Sequence, residues 1–359
     1  MVATSYIASM DERSRWVVVM SLCAASVGCS GSTSTTPPAR YRGVADAITR
    51  GEVPDTTSVL VMRHGAIDYE AYFNGADADT LLDTRSVTKT ITGLALGAAL
   101  DRKIVPSLET PVFPYFTDLA PANMSPAKSA ITIEDLVTMS STLDCDDDDD
   151  ASPGNEARMY PKDAWLRFVV DLPARGTYTR DARGRGPWHY CTVGVFLTGQ
   201  LLQRAAKQRA DELIAAWIMK PLGITRWKYE HSPMGEIMTG GMLRLTTRDL
   251  GKLGWMIRSD GAGIVSAPFI RAMQTAQAHT TFKQDPEYGY WMWGRDYSTP
   301  CGTTRGWRMS GNGGNAVIVL AELDAVIVVT RTHYNSKGMH DQTARLVEHA
   351  ILPEISCGK

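Results

Sequence analysis

The sequence predicts an α/β protein of the α+β kind: an antiparallel sheet built from both chain ends and flanked by helices, with a mainly helical region inserted between its halves. Two observations carry this. Residues 58–63 and 66–73 read as strands around a tight turn at His64-Gly65, and residues 315–320 and 325–330 form a second such pair about Glu322-Leu323-Asp324. Between the two hairpins the apolar residues recur at helical spacing, and a last helix is expected from about His340 to Ile351. At 359 residues, one large or two apposed folded regions are expected.

Taken from its beginning, the chain opens on an export signal over residues 1–29. Arg13-Ser14-Arg15 precedes an apolar run from Trp16 to Val27 that is too short to span a bilayer. The stretch Ser26-Val27-Gly28-Cys29 resembles the processing site of bacterial lipoproteins. That resemblance implies a lipid on Cys29, a membrane anchored through it, and a place in the periplasm or cell envelope. A plain secretory signal with an incidental cysteine is the alternative. Residues 30–44, rich in Ser, Thr and Pro, read as a flexible linker. The folded part is then 45–359, with sheet regions at about 45–85 and 286–359 and a helical region at about 90–280.

Export also sets the cysteine arithmetic. Cys23 is lost with the signal, and Cys145, Cys191, Cys301 and Cys357 remain in an oxidising compartment. Three pairings are open; Cys145–Cys191 with Cys301–Cys357 is the working expectation, and free buried thiols are the alternative. The formal net charge is −2 without a long basic run, which leaves no electrostatic reason for a nucleic-acid partner.

Within the helical region, Thr132 caps a short helix at Ile133–Val137, and further helices are expected over about 162–171 and 193–206, before Lys220-Pro221. Five consecutive aspartates at 146–150 lack the spaced, glycine-containing pattern of a calcium loop and read as a solvated loop. No Cys/His spacing suggests zinc, so no metal is expected.

The chemistry gathers at Thr84-Arg85-Ser86-Val87-Thr88-Lys89-Thr90, where Ser86 and Lys89 share one face of a helix that continues through Ile91, Leu94, Ala95, Ala98 and Ala99. In a first helical turn the amide N–H groups are unpaired and the dipole is positive, so an alkoxide or oxyanion at Ser86 is favoured, with Lys89 as its proton acceptor. A plain N-cap is the alternative. Tyr190, held at a loop-to-helix junction between Gly186 and Gly194, forms the second element. A nearby ammonium favours its ionised form, so a Tyr190–Lys89 pair can move the serine proton; aromatic packing is the alternative. Third, glycines from Ser310 to Gly314 lead into the strand at Asn315, and an N–H there, with that of Ser86, makes a two-donor oxyanion hole. A hairpin turn is the alternative.

In this order and at these separations, Ser86-x-x-Lys89, Tyr190-x-Thr192 and Ser310–Gly314 resemble the serine β-lactamase and penicillin-binding-protein superfamily. The fit is to its class C-like branch of esterases, D-aminopeptidases, D-Ala-D-Ala carboxypeptidases and nylon-oligomer hydrolases. Thr132-Ile133 with Leu136, Gly240-Gly241-Met242-Leu243 and Thr247-x-Asp249-Leu250 extend the resemblance over about 45–352. It implies Ser86 as nucleophile, Lys89 as base and Tyr190 as second proton relay. It also implies Asn312, with Gly311 and Gly313 beside it, at the oxyanion strand, Thr192 where many relatives have asparagine, and Tyr160 reaching the cleft from a loop.

The Lys-Thr-Gly or His-Thr-Gly of penicillin-recognising members is absent, with Arg305 or Arg308 as the replacement cation to consider. Hydrolysis of a small-molecule ester, amide or peptide is therefore expected ahead of β-lactam or D-Ala-D-Ala cleavage, with no cofactor. Trp188, Tyr288, Tyr290, Trp291 and Trp293 are the aromatic candidates for lining the cleft, and His189 stays outside the catalytic set. An envelope lipoprotein that binds without turnover is the reading from another class.

Overall fold

The computed structural model describes residues 40–176, 180–182 and 184–357. The signal segment, Cys29 and linker residues 30–39 lie outside them. Among the described residues, an eight-stranded sheet runs in the order Ala66–Tyr72, Thr56–Arg63, Ala325–Arg331, Asn315–Leu320, Gly302–Gly311, Trp293–Thr299, Glu287–Tyr288 and Ala278–His279. Every neighbouring pair is antiparallel. The two chain ends meet directly, with Val59 opposite Val329 and Val61 opposite Ile327. The first hairpin turns at His64 and Gly65, with φ of 50° and 82°, the left-handed pair that a two-residue turn between right-twisted strands requires.

Alternation along these strands feeds two cores. Val59, Val61, Ile318, Ile327 and Val329 face a layer made by the helix Arg42–Thr49 and the C-terminal helical run from Met339. Leu60, Val317, Val319, Val326 and Val328 face the larger core, which holds the helices Val87–Asp101, Thr192–Ala206 and Thr247–Arg258. Strands buried on both faces read as continuous apolar runs, which is why the terminal hairpins were visible in the sequence.

Several elements differ from expectation for identifiable reasons. The helix Arg42–Thr49 starts inside the stretch read as linker, after a buried Tyr41 whose hydroxyl donates to Asp68. Trp165–Asp171 starts later than residue 162 because its first amides are taken by a distant carboxylate: Trp165 N donates to Glu236 Oε2 at 2.7 Å and Leu166 N to Glu236 Oε1 at 3.1 Å. Thr247–Arg258 escaped notice because Gly251 and Gly254 lower its helical propensity. Packing needs them, since a Cβ on Gly254 would lie 2.6 Å from Val326 Cγ1 and 2.7 Å from Val317 Cγ1.

Both disulfides form in the expected pairing, Cys145–Cys191 with Cα atoms 5.5 Å apart and Cys301–Cys357 with Cα atoms 5.7 Å apart. The first joins the aspartate-rich loop to the start of Thr192–Ala206. The second ties the turn after Trp293–Thr299 to the C-terminus.

Candidate active site

The helix Val87–Asp101 is buried from Val87 to Ala99, and Ser86 stands at its N-cap. The approach to it is held by side chains. Thr84 donates from both N and Oγ1 to the Leu243 carbonyl, at 3.0 and 2.6 Å. Thr88 Oγ1 donates to the Arg85 carbonyl at 2.7 Å and accepts from Leu243 N at 3.2 Å. These bonds keep Arg85 in the left-handed region at φ 49°, a conformation that costs a non-glycine residue about 1–2 kcal/mol and turns the chain sharply into Ser86.

Lys89, one turn on, is 2 % exposed, and its Nζ donates to Ser86 Oγ at 2.9 Å and to the Gly240 carbonyl at 2.7 Å. Burial pushes its pKa below the ordinary lysine value, while the charges of Glu156 and Asp147 pull the other way. A lysine in that state has access to its neutral form, the form that takes a proton from serine.

Tyr190 lies with its ring centroid 4.9 Å from Lys89 Nζ and shares a hydrogen bond with Ser86. The expectation that the ammonium would favour a phenolate is corrected here. Burial raises the Tyr190 hydroxyl pKa well above its usual range, against the lowering effect of the Ser86 bond. The phenol is therefore protonated at neutral pH, so the two groups differ in role: a lysine available as base and a tyrosine available as proton donor.

A fourth group is Asp147, second of the five consecutive aspartates and thus a correction to their reading as a solvated loop. Its Oδ2 accepts from Thr192 N at 2.6 Å and its Oδ1 from Glu156 N at 2.9 Å, while its own N–H donates to the Tyr190 carbonyl at 2.8 Å. Burial and the neighbouring Glu156 charge raise its pKa, and Lys89 and hydrogen bonding by Thr192 and by the Glu156 N–H oppose them. Glu156 in turn accepts from the Tyr160 hydroxyl at 2.6 Å, which places Tyr160 in this group of residues.

At the end of the strand Gly302–Gly311, Gly311 abuts the residues before Ser86: a Cβ there would lie 2.3 Å from the Thr84 carbonyl oxygen. Asn312 follows in the turn, and its side chain is engaged with Asn335, donating to Asn335 Oδ1 at 2.6 Å and accepting from Asn335 N at 2.8 Å. Its backbone is what it can offer a substrate. Gly313 is corrected as an oxyanion candidate, because its N–H donates to Met339 Sδ at 3.1 Å and its φ of 91° serves the turn.

Thr192 is fully buried, its methyl and carbonyl lying 2.8 and 2.9 Å from where a Gly240 Cβ would stand. Neither candidate replacement cation is free. Arg305 pairs with Glu287 and Asp296, and Arg308, 3 % exposed, pairs with Asp285 at 2.6 Å. Tyr288, Tyr290 and Trp291 belong to the core, whereas Trp188 and Trp293 are half-buried around Tyr190. His189 is paired with Asp146 at 3.0 Å.

A family model described as Beta-lactamase matches residues 44–350. The chain belongs to the beta-lactamase family. It is 24 % identical over 212 residues to the 6-aminohexanoate-dimer hydrolase of Paenarthrobacter ureafaciens, covering 57 % of this chain and 53 % of that protein. It is 23 % identical over 186 residues to beta-lactamase-like protein 2 of Dictyostelium discoideum, covering 49 % and 32 %. The aligned part thus spans about half and about a third of those two relatives. Among solved structures, D-amino acid amidase from Ochrobactrum anthropi SV3 superposes with a TM-score of 0.63 at 16 % identity, covering 86 % of this chain and 99 % of that one.

Two residues of this beta-lactamase-family site were missed by sequence reasoning. Gly240 was noticed as part of a motif without a role; its carbonyl holds Lys89, and its lack of a side chain makes room for Thr192. Asp147 is chemically identical to its neighbours in the run. The signal that distinguishes it is spacing across the disulfide: it lies two residues beyond Cys145, and Cys191 stands between Tyr190 and Thr192.

Proposed function

We propose that this family member is a serine hydrolase that cleaves an ester or amide bond through an acyl-enzyme on Ser86. The observation that carries the reading is Lys89 Nζ, withdrawn from solvent and 2.9 Å from Ser86 Oγ. In the proposed reaction, Ser86 Oγ attacks the carbonyl carbon as its proton passes to Lys89, and the N–H groups of Ser86 and Asn312 receive the oxyanion. Tyr190 then gives its hydroxyl proton to the leaving group and is reprotonated from Lys89. Water attacks the acyl carbon, the bond to Ser86 Oγ breaks, and the water proton passes through the same groups to Ser86 Oγ, which leaves as the free hydroxyl.

The test is labelling of the purified protein with a fluorophosphonate, located by peptide mapping. An adduct on Ser86, absent from Ser86→Ala, is the expected result. No adduct on a folded protein rejects the hydrolase in favour of an envelope protein that binds without turnover. With Arg305 and Arg308 both paired, simple esters are expected to acylate Ser86 faster than a penicillin does. Faster acylation by the penicillin would instead indicate a β-lactam or D-Ala-D-Ala enzyme.

The wall beside the proposed relay supports one substrate class. Trp293 lies 5.6 Å from the Tyr190 ring and 5.7 Å from Phe282, which is 39 % exposed, and Trp188 packs against all three. An apolar group flanking the scissile carbonyl fits there. Trp293→Ala is expected to lower the preference for an aryl or long-chain ester over an acetate about ten-fold, read as the ratio of kcat/KM values. An unchanged ratio removes this wall from the substrate pocket. The two disulfides fit an exported protein, and membrane attachment through a lipid on Cys29 is part of the same proposal.

A further inference from the structure

We propose that Asp147 is a positioning residue of the proton relay, joining the Tyr190 loop, the Glu156–Tyr160 turn and the helix Thr192–Ala206 into one unit and holding a negative charge against Lys89. The inference rests on the serine-hydrolase reading and adds a residue to it.

Three hydrogen bonds to three segments converge on this one residue. Its carboxylate accepts the first amide of the fifteen-residue helix Thr192–Ala206 at 2.6 Å, where the unpaired N–H groups and the dipole favour an anion. The second oxygen takes the Glu156 amide at 2.9 Å and so fixes the turn that carries Tyr160. The backbone N–H completes the set by holding the Tyr190 carbonyl at 2.8 Å. On either side of these bonds the Cys145–Cys191 disulfide joins the two backbones.

Neighbours in the run are placed differently. Asp146 faces His189 and Arg175, while Asp148, Asp149 and Asp150 are exposed. The disulfide itself is a poor redox switch, since Cys145 and Cys191 are 1 % and 4 % exposed, so its contribution is to hold this geometry permanently.

Charge supplies the second half of the argument. Lys89 faces Ser86 Oγ, the Gly240 carbonyl, the Tyr190 ring, Glu156 and Asp147, and of these the two carboxylates are the charged groups that favour its ammonium. Asp147 faces Glu156 and Lys89; Tyr190 also feels Asp148, and Tyr160 feels Arg85. Removing the Asp147 charge takes away one of the two negative charges that support the ammonium. Lys89 then becomes neutral at lower pH and is a weaker base once neutral. A residue that only caps helices would not move that titration.

The experiment is the pH dependence of Ser86 acylation by a fluorophosphonate in wild type, Asp147→Asn and Asp147→Glu, with folding checked by thermal unfolding and disulfide content. In Asp147→Asn, the rise of rate with pH is expected to shift to lower pH, and the maximum to fall about ten-fold or more. Asp147→Glu keeps the charge but displaces it by a methylene, so its limb is expected to stay near that of wild type with a reduced maximum. A folded Asp147→Asn whose limb does not move overturns the proposal. So does an Asp147→Glu with wild-type limb and maximum when the Asn variant fails to fold. If neither variant folds, Asp147 is a structural residue and the proposal falls. A wild type that is itself unreactive rejects the hydrolase reading instead, so the two failures are distinguishable.

Discussion

Replacing Lys89 by Met is expected to slow acylation of Ser86 by about 10²–10⁴-fold, the range that a positioned general base contributes. The methionine keeps the length and apolar stem but has no proton acceptor of useful basicity 2.9 Å from Ser86 Oγ. Burial lowers the Lys89 pKa, so the rate of the wild type should rise with pH through a value below the ordinary lysine range and level off above it. The variant should lose that limb. Stability should move the opposite way as pH falls from the ordinary lysine value toward the depressed one. A lysine whose folded-state pKa is depressed contributes stability above its unfolded pKa that is lost as pH falls through the folded one. Methionine has no such titration. The difference in Tm between Lys89→Met and wild type should therefore shift toward the variant as pH falls. Stopped-flow acylation and thermal unfolding across pH check both. A variant that acylates at the wild-type rate would remove Lys89 from the mechanism.

Tyr190→Phe separates the two proton-transfer roles. The phenol's pKa is raised, so it is protonated, and in the proposed reaction it supplies a proton where the leaving group requires one. Phenylalanine preserves the ring near Lys89, Trp188 and Trp293 and removes only the hydroxyl. Hydrolysis of an ester with a nitrophenolate leaving group, which departs without protonation, is expected to fall less than about ten-fold. Hydrolysis of an anilide or alkyl amide on the same acyl group is expected to fall about 10²–10⁴-fold. Comparing kcat/KM for the two substrates reads this directly. Equal losses on both would mean that Tyr190 acts in the attack step.

Much of the fold and part of the site were legible because they depend on local patterns. The terminal hairpins are continuous apolar runs interrupted by turn residues, and the same runs pair in the sheet. Thr192–Ala206 was expected within one residue of its observed start, and Ile133–Val137 carries the capping box that Thr132 announced. Ser86 and Lys89 were visible because three residues along a helix put two side chains on one face, a relation that needs no tertiary information.

Several features that depend on partners distant in the chain were not legible. The late start of Trp165–Asp171 is set by Glu236, and the glycines of Thr247–Arg258 are explained only by the sheet against them. The paired state of Arg305 and Arg308, the turn geometry that removes Gly313, and the protonated state of Tyr190 likewise follow from neighbours that no local pattern announces.

By itself, then, the sequence determined the strands of both chain ends, the helix that presents Ser86 and Lys89, and the order of the motifs around them, all of which rest on periodicity and short-range spacing. The tertiary structure alone decided which aspartate of five turns inward, how the carbonyl of Gly240 meets Lys89, and the burial that depresses the Lys89 pKa. The physical reason is that burial and charge at a site are sums over every segment folded against it. Asp147 acquires its character only when Cys145 and Cys191, 46 residues apart, bring it to the start of the helix that carries Thr192.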